Sequence, residues 1–297
     1  LKTFYSNGKL LLTGEYVVLN GAMALAIPTK RGQTLTVEAS EKKEIHWKSV
    51  DEKGTVWFEE TFRLNTPVSE KEDNVLFQLM KILIEAQKLN PSFLAEENFN
   101  ITTILDFPIN WGLGTSSTLI NNIAQWAQVD AFQLLQNSFG GSGYDIAAAQ
   151  NNKPILYALV DGKPKVKTLD LDWNFTENLF FVHLNQKQDS KEGISLYKKA
   201  RIEPAVFSEI NQITDKLITC KTLTEFEVLI DRHEAIISKA IGLQTIKQIL
   251  FNDYPNAIKS LGAWGGDFVL AIGNEKDKIY FRKKGFTTIV PFDEMIL

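Results

Sequence analysis

The sequence predicts an α+β fold, and three observations carry that prediction. Strand-period segments crowd the first third, helix-period segments fill the middle and return late, and apolar strand-like runs close the chain. Hydrophobic residues make up 44% and charged residues 23% of the 297, a balance that lets the chain bury a core in two domains or in one two-lobed unit.

In order, FYSNGKLLLTGEYVVL and AMALAIPT read as apolar strands, and GQTLTVEAS alternates with period two. EIHWKSV and TVWFEETF flank DEKG at 51–54, a hairpin turn. From Asn74 the period changes. Leu76, Leu79, Met80 and Leu83 share one face, which predicts an amphipathic helix over 74–89. NFNITTIL returns to strand, and a second helix is expected from Ser116 to Gln128. PILYALV and KVKTLDL pair around Asp161-Gly162, and LFFVHL reads as a buried strand. A late helix is expected to begin near Thr224, with Thr224 and Glu227 at capping-box spacing and Gly242 at its end. DFVLAIG and KIYFRK are the closing strands. A division into 1–170 and 171–297 fits this order, although no linker marks it.

Composition narrows the function. A net charge of -4 argues against a general nucleic-acid binder, and the densest basic run, RKKG at 282–285, is short enough to be a solvated turn. Cys220 is the single cysteine, which excludes an internal disulfide and a cysteine-based zinc site and suits a reducing compartment. His46, His183 and His233 are far apart in sequence, an arrangement that disfavours a histidine-rich metal centre. No apolar run reaches the length of a membrane span, and the start of the chain lacks a secretory apolar region, so a cytoplasmic protein is expected.

Four segments carry candidate chemistry. DFPINWGLGTSSTLINNIAQWA runs from a strand through a Gly-rich turn into a helix. Gly112 and Gly114 let backbone approach a ligand, and Leu113 lies between them. The first turn of the helix offers free N–H groups and a positive dipole end, and Thr115, Ser116 and Ser117 add hydroxyls for phosphate or Mg²⁺. The ending of a Walker loop is absent. A plain Gly turn with a Ser/Thr cap fits this segment as well. In FGGSGYDIAAAQ, Asp145 is either a general base held in a Gly-rich turn or the cap of a helix beginning at Ile146. SLGAWGGDFVLAIG is a glycine turn entering a strand. SNGKLLLTGEYVVLNG places Lys9 at the start of an apolar strand broken at Gly14-Glu15, where a solvated lysine is the plain alternative.

The order GKLLLTGEY, GLGTSS, SGYD, GAWGGDFVLA, spanning Asn7 to Gly273, resembles that of the GHMP kinases, and its wording is nearest the mevalonate and phosphomevalonate kinase branch. The resemblance implies a two-lobed α+β fold, with an N-terminal lobe like a ribosomal-protein domain, a ferredoxin-like C-terminal lobe and an active site in the cleft. It implies that ATP phosphates lie on Gly112–Ser117 and that Ser116 ligates Mg²⁺. Asp145 is then the base for the attacking hydroxyl, and Lys9 stabilises charge on that nucleophile. Phosphoryl transfer needs positioning and charge neutralisation above all, and a neighbouring lysine keeps an aspartate ionised.

Three departures stand out. Trp264 occupies a position where family members carry a small residue, Thr115 replaces a commoner serine, and the interval from Ser116 to Asp145 is short for a mevalonate kinase. That short interval leaves the second Mg²⁺ carboxylate without a position; Asp130 lies in it with no role assigned. The acceptor expected is mevalonate or phosphomevalonate, with Lys187, Ser190 and Lys191 of NQKQDSKEG either facing it or lying on a solvated turn. A diphosphomevalonate decarboxylase-like enzyme and a non-catalytic nucleotide- or metabolite-binding protein are the rival readings. The partners expected are ATP and a small-molecule acceptor, without nucleic acid or membrane, in a monomer or homodimer.

Overall fold

The structure, a computed structural model, describes residues 1–69, 74–96, 98–186, 190–262, 264 and 266–297, without the side chains of 190–192 and 196. The chain divides into two compact units, each assembled from several segments. The first comprises Leu1–Gly8, Arg31–Ile109 and Leu113–Gln150; the second comprises Lys9–Lys30, Asn110–Gly112 and Asn151–Leu297.

Strands β1 (Lys2–Leu11) and β2 (Ala24–Ala39) pair with each other, and each runs from one unit into the other. In the first unit, β3 (Ile45–Val50), β4 (Val56–Phe62) and β5 (Phe99–Leu105) join the C-terminal half of β2 in the order β4-β3-β5-β2. The β3–β4 hairpin closes as expected. Gly54 has φ 83°, and the Asp51 carboxylate accepts from the backbone of Lys53 and Thr55 at 2.9 and 2.7 Å. Alternate residues of β2, Leu35 and Val37, enter a core that also holds Trp47, Ile101 and Leu83.

Among the described residues, four helices complete this unit. In α1 (Val75–Leu89), the Asn74 side chain caps the first turn by accepting from Phe77 N at 3.2 Å. They continue with α2 (Thr115–Ala127), α3 (Ala131–Ser138) and α4 (Tyr144–Ala149). Asp130 is the N-cap of α3, its carboxylate accepting from Phe132 N at 2.7 Å.

In the second unit, β6 (Ile155–Val160) joins the N-terminal half of β2, and β7 (Lys163–Thr168) joins β6 through Asp161-Gly162. Those two residues have φ 51° and 72°, the left-handed pair that a tight hairpin needs. Exposed Lys163, Lys165 and Lys167 line the edge strand β7, which discourages further strand pairing. The expected buried strand is β8 (Leu179–His183). After it come α5 (Ser190–Lys199), α6 (Pro204–Thr219), α7 (Leu223–Ile241), α8 (Ile246–Leu250), β9 (Ile258–Ser260), β10 (Phe268–Ile272), α9 (Glu275–Lys283), β11 (Ile289–Pro291) and α10 (Phe292–Met295). The second sheet has the antiparallel order β11-β8-β10-β9.

Three local expectations are corrected. KIYFRK is the body of helix α9, because Asn274 and Asp277 form a capping box ahead of it and Lys278 and Phe281, three apart, are the buried pair. Helix α7 begins near Thr224 as read, but its cap lies two residues earlier than expected. Thr222 caps it, accepting from Glu225 N at 3.3 Å, while the Glu227 side chain accepts from Ala257 N. Gly242 ends α7 with φ 71°, as expected. YVVL is a 3-10 turn over Val17–Asn20, because Gly14 and Tyr16 adopt φ 86° and 62° and turn the chain out of strand geometry.

Candidate functional site

Helix α2 opens on two left-handed glycines, Gly112 at φ 66° and Gly114 at φ 97°. Gly114 is the N-cap, so no side chain accepts from the first-turn amides, and that turn carries no acidic residue. The hydroxyls do not serve as caps. Ser117 is buried, its Oγ donating to Gly114 O at 2.9 Å, whereas Thr115 is half-buried and Ser116 exposed. Leu113 is fully buried and anchors the turn. The result is a helix N-terminus with neither a side-chain cap nor an acidic residue in its first turn, the arrangement in which N–H groups and the positive dipole end suit an anion.

A neutral polar network fixes α2 in the first unit. Ser6 Oγ donates to Asn122 Oδ1 at 2.7 Å, Asn122 Nδ2 donates to Gln33 O at 2.9 Å, and Asn121 Nδ2 donates to Ser6 Oγ at 2.8 Å. The Thr118 hydroxyl reaches Gln33 Oε1 at 2.8 Å, and Gln150 Nε2 donates to Asn121 Oδ1 at 3.0 Å. Gln150 follows α4, whose run of buried alanines, Ala147 to Ala149, lets it pack closely on α2. Asp145 sits in the first turn of α4, half-buried, with Oδ1 accepting from Ile146 N at 3.0 Å. Gly143, at φ 86°, holds the N-cap position, so the helix begins at Tyr144 and Asp145 is not its cap.

In the second unit, Lys9 lies inside β1 rather than at its start. It is half-buried, and its Nζ donates to Gly112 O at 3.3 Å. Asp267 approaches the same glycine. A Cβ on Gly112 would stand 2.3 Å from the Asp267 carboxyl carbon, so only glycine fits there. Asp267 has φ 56° and is clamped by its backbone, donating to Gln186 O at 2.8 Å and accepting from Leu184 N at 2.7 Å. Trp111 packs edge-on against Phe268 at 5.1 Å, and His183 contacts Asn110 O through Nε2 at 3.1 Å, so Asn110–Gly112 is held along its length.

The second unit also holds a cluster that the sequence did not disclose. Lys259 is fully buried and ion-paired with Glu15 and, at 2.9 Å, with Glu234. Ser260 Oγ donates to Glu234 Oε2 at 2.6 Å, and Gly14 N donates to His233 Nε2 at 3.1 Å. That last bond requires a lone pair on Nε2 and places the histidine proton on Nδ1, which finds no partner among the described residues. Glu15 Oε2 stands 3.3 Å from the same Nε2. Burial pushes the Glu15 carboxyl up from 4.5 to about 7, against the pull of Lys259 and with a further push from Glu234. Burial, then the Lys259 charge, drives His233 well below its ordinary value, so it is neutral. Burial alone would lower Lys259, but the two carboxylates outweigh it and keep the ammonium charged.

Trp264 is buried with Tyr16, Val17, Tyr197, Ile210 and Ile237 in a core of the second unit, and its ring centroid is 5.9 Å from Lys259 Nζ. Lys187 lies outside the described residues, as do the side chains of Ser190 and Lys191. Among the described residues no group of three His, Cys, Asp or Glu side chains is placed to hold a metal ion, and no helix is long and apolar enough to cross a membrane.

No protein-family profile matches the chain, and no curated protein matches it. Solved structures do. The phosphomevalonate kinase of Streptococcus pneumoniae, in complex with phosphomevalonate and AMPPNP, is similar with a TM-score of 0.71 at 14% identity over 96% of each chain. The Methanococcus jannaschii mevalonate kinase is similar with a TM-score of 0.69 at 16% identity, covering 95% of this chain and 94% of that one. The Lactococcus lactis galactokinase complexed with galactose is similar with a TM-score of 0.67 at 14% identity, covering 95% of this chain and 88% of that one. The α+β chain therefore has the GHMP kinase fold.

Proposed function

We propose that this protein is an ATP-dependent small-molecule kinase of the GHMP type, acting on mevalonate or phosphomevalonate in the cytoplasm. The observation that carries the reading is the start of α2: two left-handed glycines, an uncapped and acid-free first turn, and a closely packed α4 bearing Asp145. The similarity to mevalonate, phosphomevalonate and galactose kinases supports the same reaction class. In this reading, residues 1–170 and 171–297 are the two lobes.

Gly112, Leu113, Gly114, Thr115, Ser116 and Ser117 bind the ATP phosphates. The backbone amides supply most of the contacts, since the Ser117 hydroxyl is engaged with Gly114 O. Ser116, whose side chain is exposed at the start of α2, would offer Mg²⁺ a protein oxygen, which suits an ion that is bound through few protein groups. When bound, the ion neutralises charge on the β- and γ-phosphates. Asp145 accepts the proton of the acceptor hydroxyl as that oxygen bonds to the γ-phosphorus, the bond to the β-phosphate oxygen breaks, and ADP leaves. Lys9 offsets the charge that develops on the acceptor oxygen.

The test is a coupled ADP-release assay with Mg-ATP and mevalonate, phosphomevalonate, homoserine or galactose, alongside Asp145→Asn. Turnover with one of the first two acceptors, lost about 10²–10⁴-fold in the variant while Mg-ATP still binds, is the expected result. An Asp145→Asn enzyme with full turnover removes the base from the mechanism. Silence of the wild type with all four acceptors removes the substrate assignment.

A further inference from the structure

Gly112 is gripped at two points, by Lys9 on its carbonyl and by the Asp267 carboxylate against its Cα. Both grips spring from the same place. Lys9 leads along β1 and the following residues to Gly14-Glu15, where Leu12 N bonds Leu25 O at 2.8 Å and the Glu15 carboxylate meets Lys259. Asp267 ends the glycine-rich turn that starts just after Lys259 and Ser260. That turn is closed at its base by Leu261 N bonding Phe268 O at 3.3 Å, in continuation of the β9–β10 pairing of Lys259 with Leu270. Inside the turn, Trp264 lies over Lys259 Nζ. One ammonium thus touches the segment that carries Lys9, the turn that carries Asp267 and, through Glu234, helix α7.

We propose that Lys259 is a positioning residue: together with Glu15 and Glu234 it sets the placement of the Gly112 peptide, and through it the entry to the phosphate-binding turn. A buried ion triad is a poor source of net stability, because desolvation offsets most of the attraction and a well-packed apolar replacement is often as stable. What it supplies is directional constraint. Above about pH 7, where Glu15 is ionised, its three charged groups tolerate little displacement in a low-dielectric interior, so the two segments rooted in it are held in fixed register. The functional consequence rests on the kinase reading; the structural one does not.

The decisive variant removes all three charges together, Glu15→Gln/Lys259→Met/Glu234→Gln, so that no buried charge is left unpaired. Hydrogen exchange at residues 110–112 is compared with exchange in the β6–β7 hairpin, and Mg-ATP affinity is measured by calorimetry. The folded variant is expected to exchange about tenfold faster at 110–112, with the hairpin unchanged, and to bind Mg-ATP about tenfold more weakly. Unchanged exchange at 110–112 in a folded variant overturns the proposal. If the triple variant does not fold, Trp264→Leu decides alone: it leaves the ion pairs intact but removes the turn's contact with Lys259. Exchange there about threefold faster supports the proposal, and no change refutes it. A wild type that binds no Mg-ATP, combined with faster exchange in the variant, would sink the kinase reading and leave this inference standing.

Discussion

Helix α2 of the first unit and helix α7 of the second each bury polar side chains, and they do so in different chemical currencies. Around α2 the buried groups are amides and hydroxyls: Ser6, Gln33, Thr118, Asn121 and Asn122, each with its partner at hydrogen-bond distance. Around α7 they are ions and a neutral imidazole: Glu15, Lys259, Glu234 and His233, with the Glu15 Oε2 and His233 Nδ1 atoms unsatisfied among the described residues. A neutral network depends on each donor finding an acceptor and has no use for pH. An ionic one depends on charge balance, so its integrity is set by proton count as well as geometry.

The sharpest way to break the comparison is to remove one charge. Lys259→Met leaves two carboxylates buried without their cation and is expected to cost about 3–5 kcal/mol in a urea denaturation experiment. A loss below about 1 kcal/mol would mean that the cluster is relieved by water and is not the ionic counterpart of the α2 network. The matching cut in the first unit is Asn122→Ala, which strips the acceptor of Ser6 Oγ and the donor to Gln33 O. It is expected to cost about 1–3 kcal/mol, with the same loss at about pH 5 and about pH 8. A pH-dependent loss would show that a titrating group couples to the network.

The two regions also differ in how far the sequence announced them. GLGTSS ahead of an apolar-periodic run identified the start of α2, because local backbone needs leave local marks: glycines where φ is positive and hydroxyls in the first turn. The DEKG and Asp161-Gly162 turns were legible for the same reason. Which residue capped each helix was less so, since Gly143 and Thr222 compete with better-looking neighbours, and aromatic KIYFRK imitates a strand until the capping box before it is weighed. The ionic cluster was invisible. Glu15, His233, Glu234 and Lys259 come from three distant segments, and their one local trace is a charged residue set in an apolar run, as in LLLTGEYVVL. Nor does composition mark the repeated passage of the chain between two units, because both draw on the same strands β1 and β2.

The smallest expected effect lies in the pH dependence of stability. The unfolded chain protonates His233 near 6.5 and Glu15 near 4.5; folding drives the histidine well down and the glutamate up to about 7. Between pH 4.5 and 6.5 the unfolded pair holds its proton on histidine and the folded pair holds it on glutamate. Both states bind one proton, so the pair adds no slope there. From 6.5 to about 7 only the folded state keeps it, and stability falls as pH rises; below 4.5 the unfolded state binds two, and stability falls as pH falls. In His233→Gln, an amide oxygen still accepts from Gly14 N but nothing on that residue titrates. Glu15 then acts alone, and the variant is expected to lose up to about 1.4 kcal/mol per pH unit on going from about pH 5 to about pH 6.5, relative to the wild type. Urea midpoints of the two proteins across that range measure it. A constant difference between them would mean that folding moves no proton from the histidine to the glutamate.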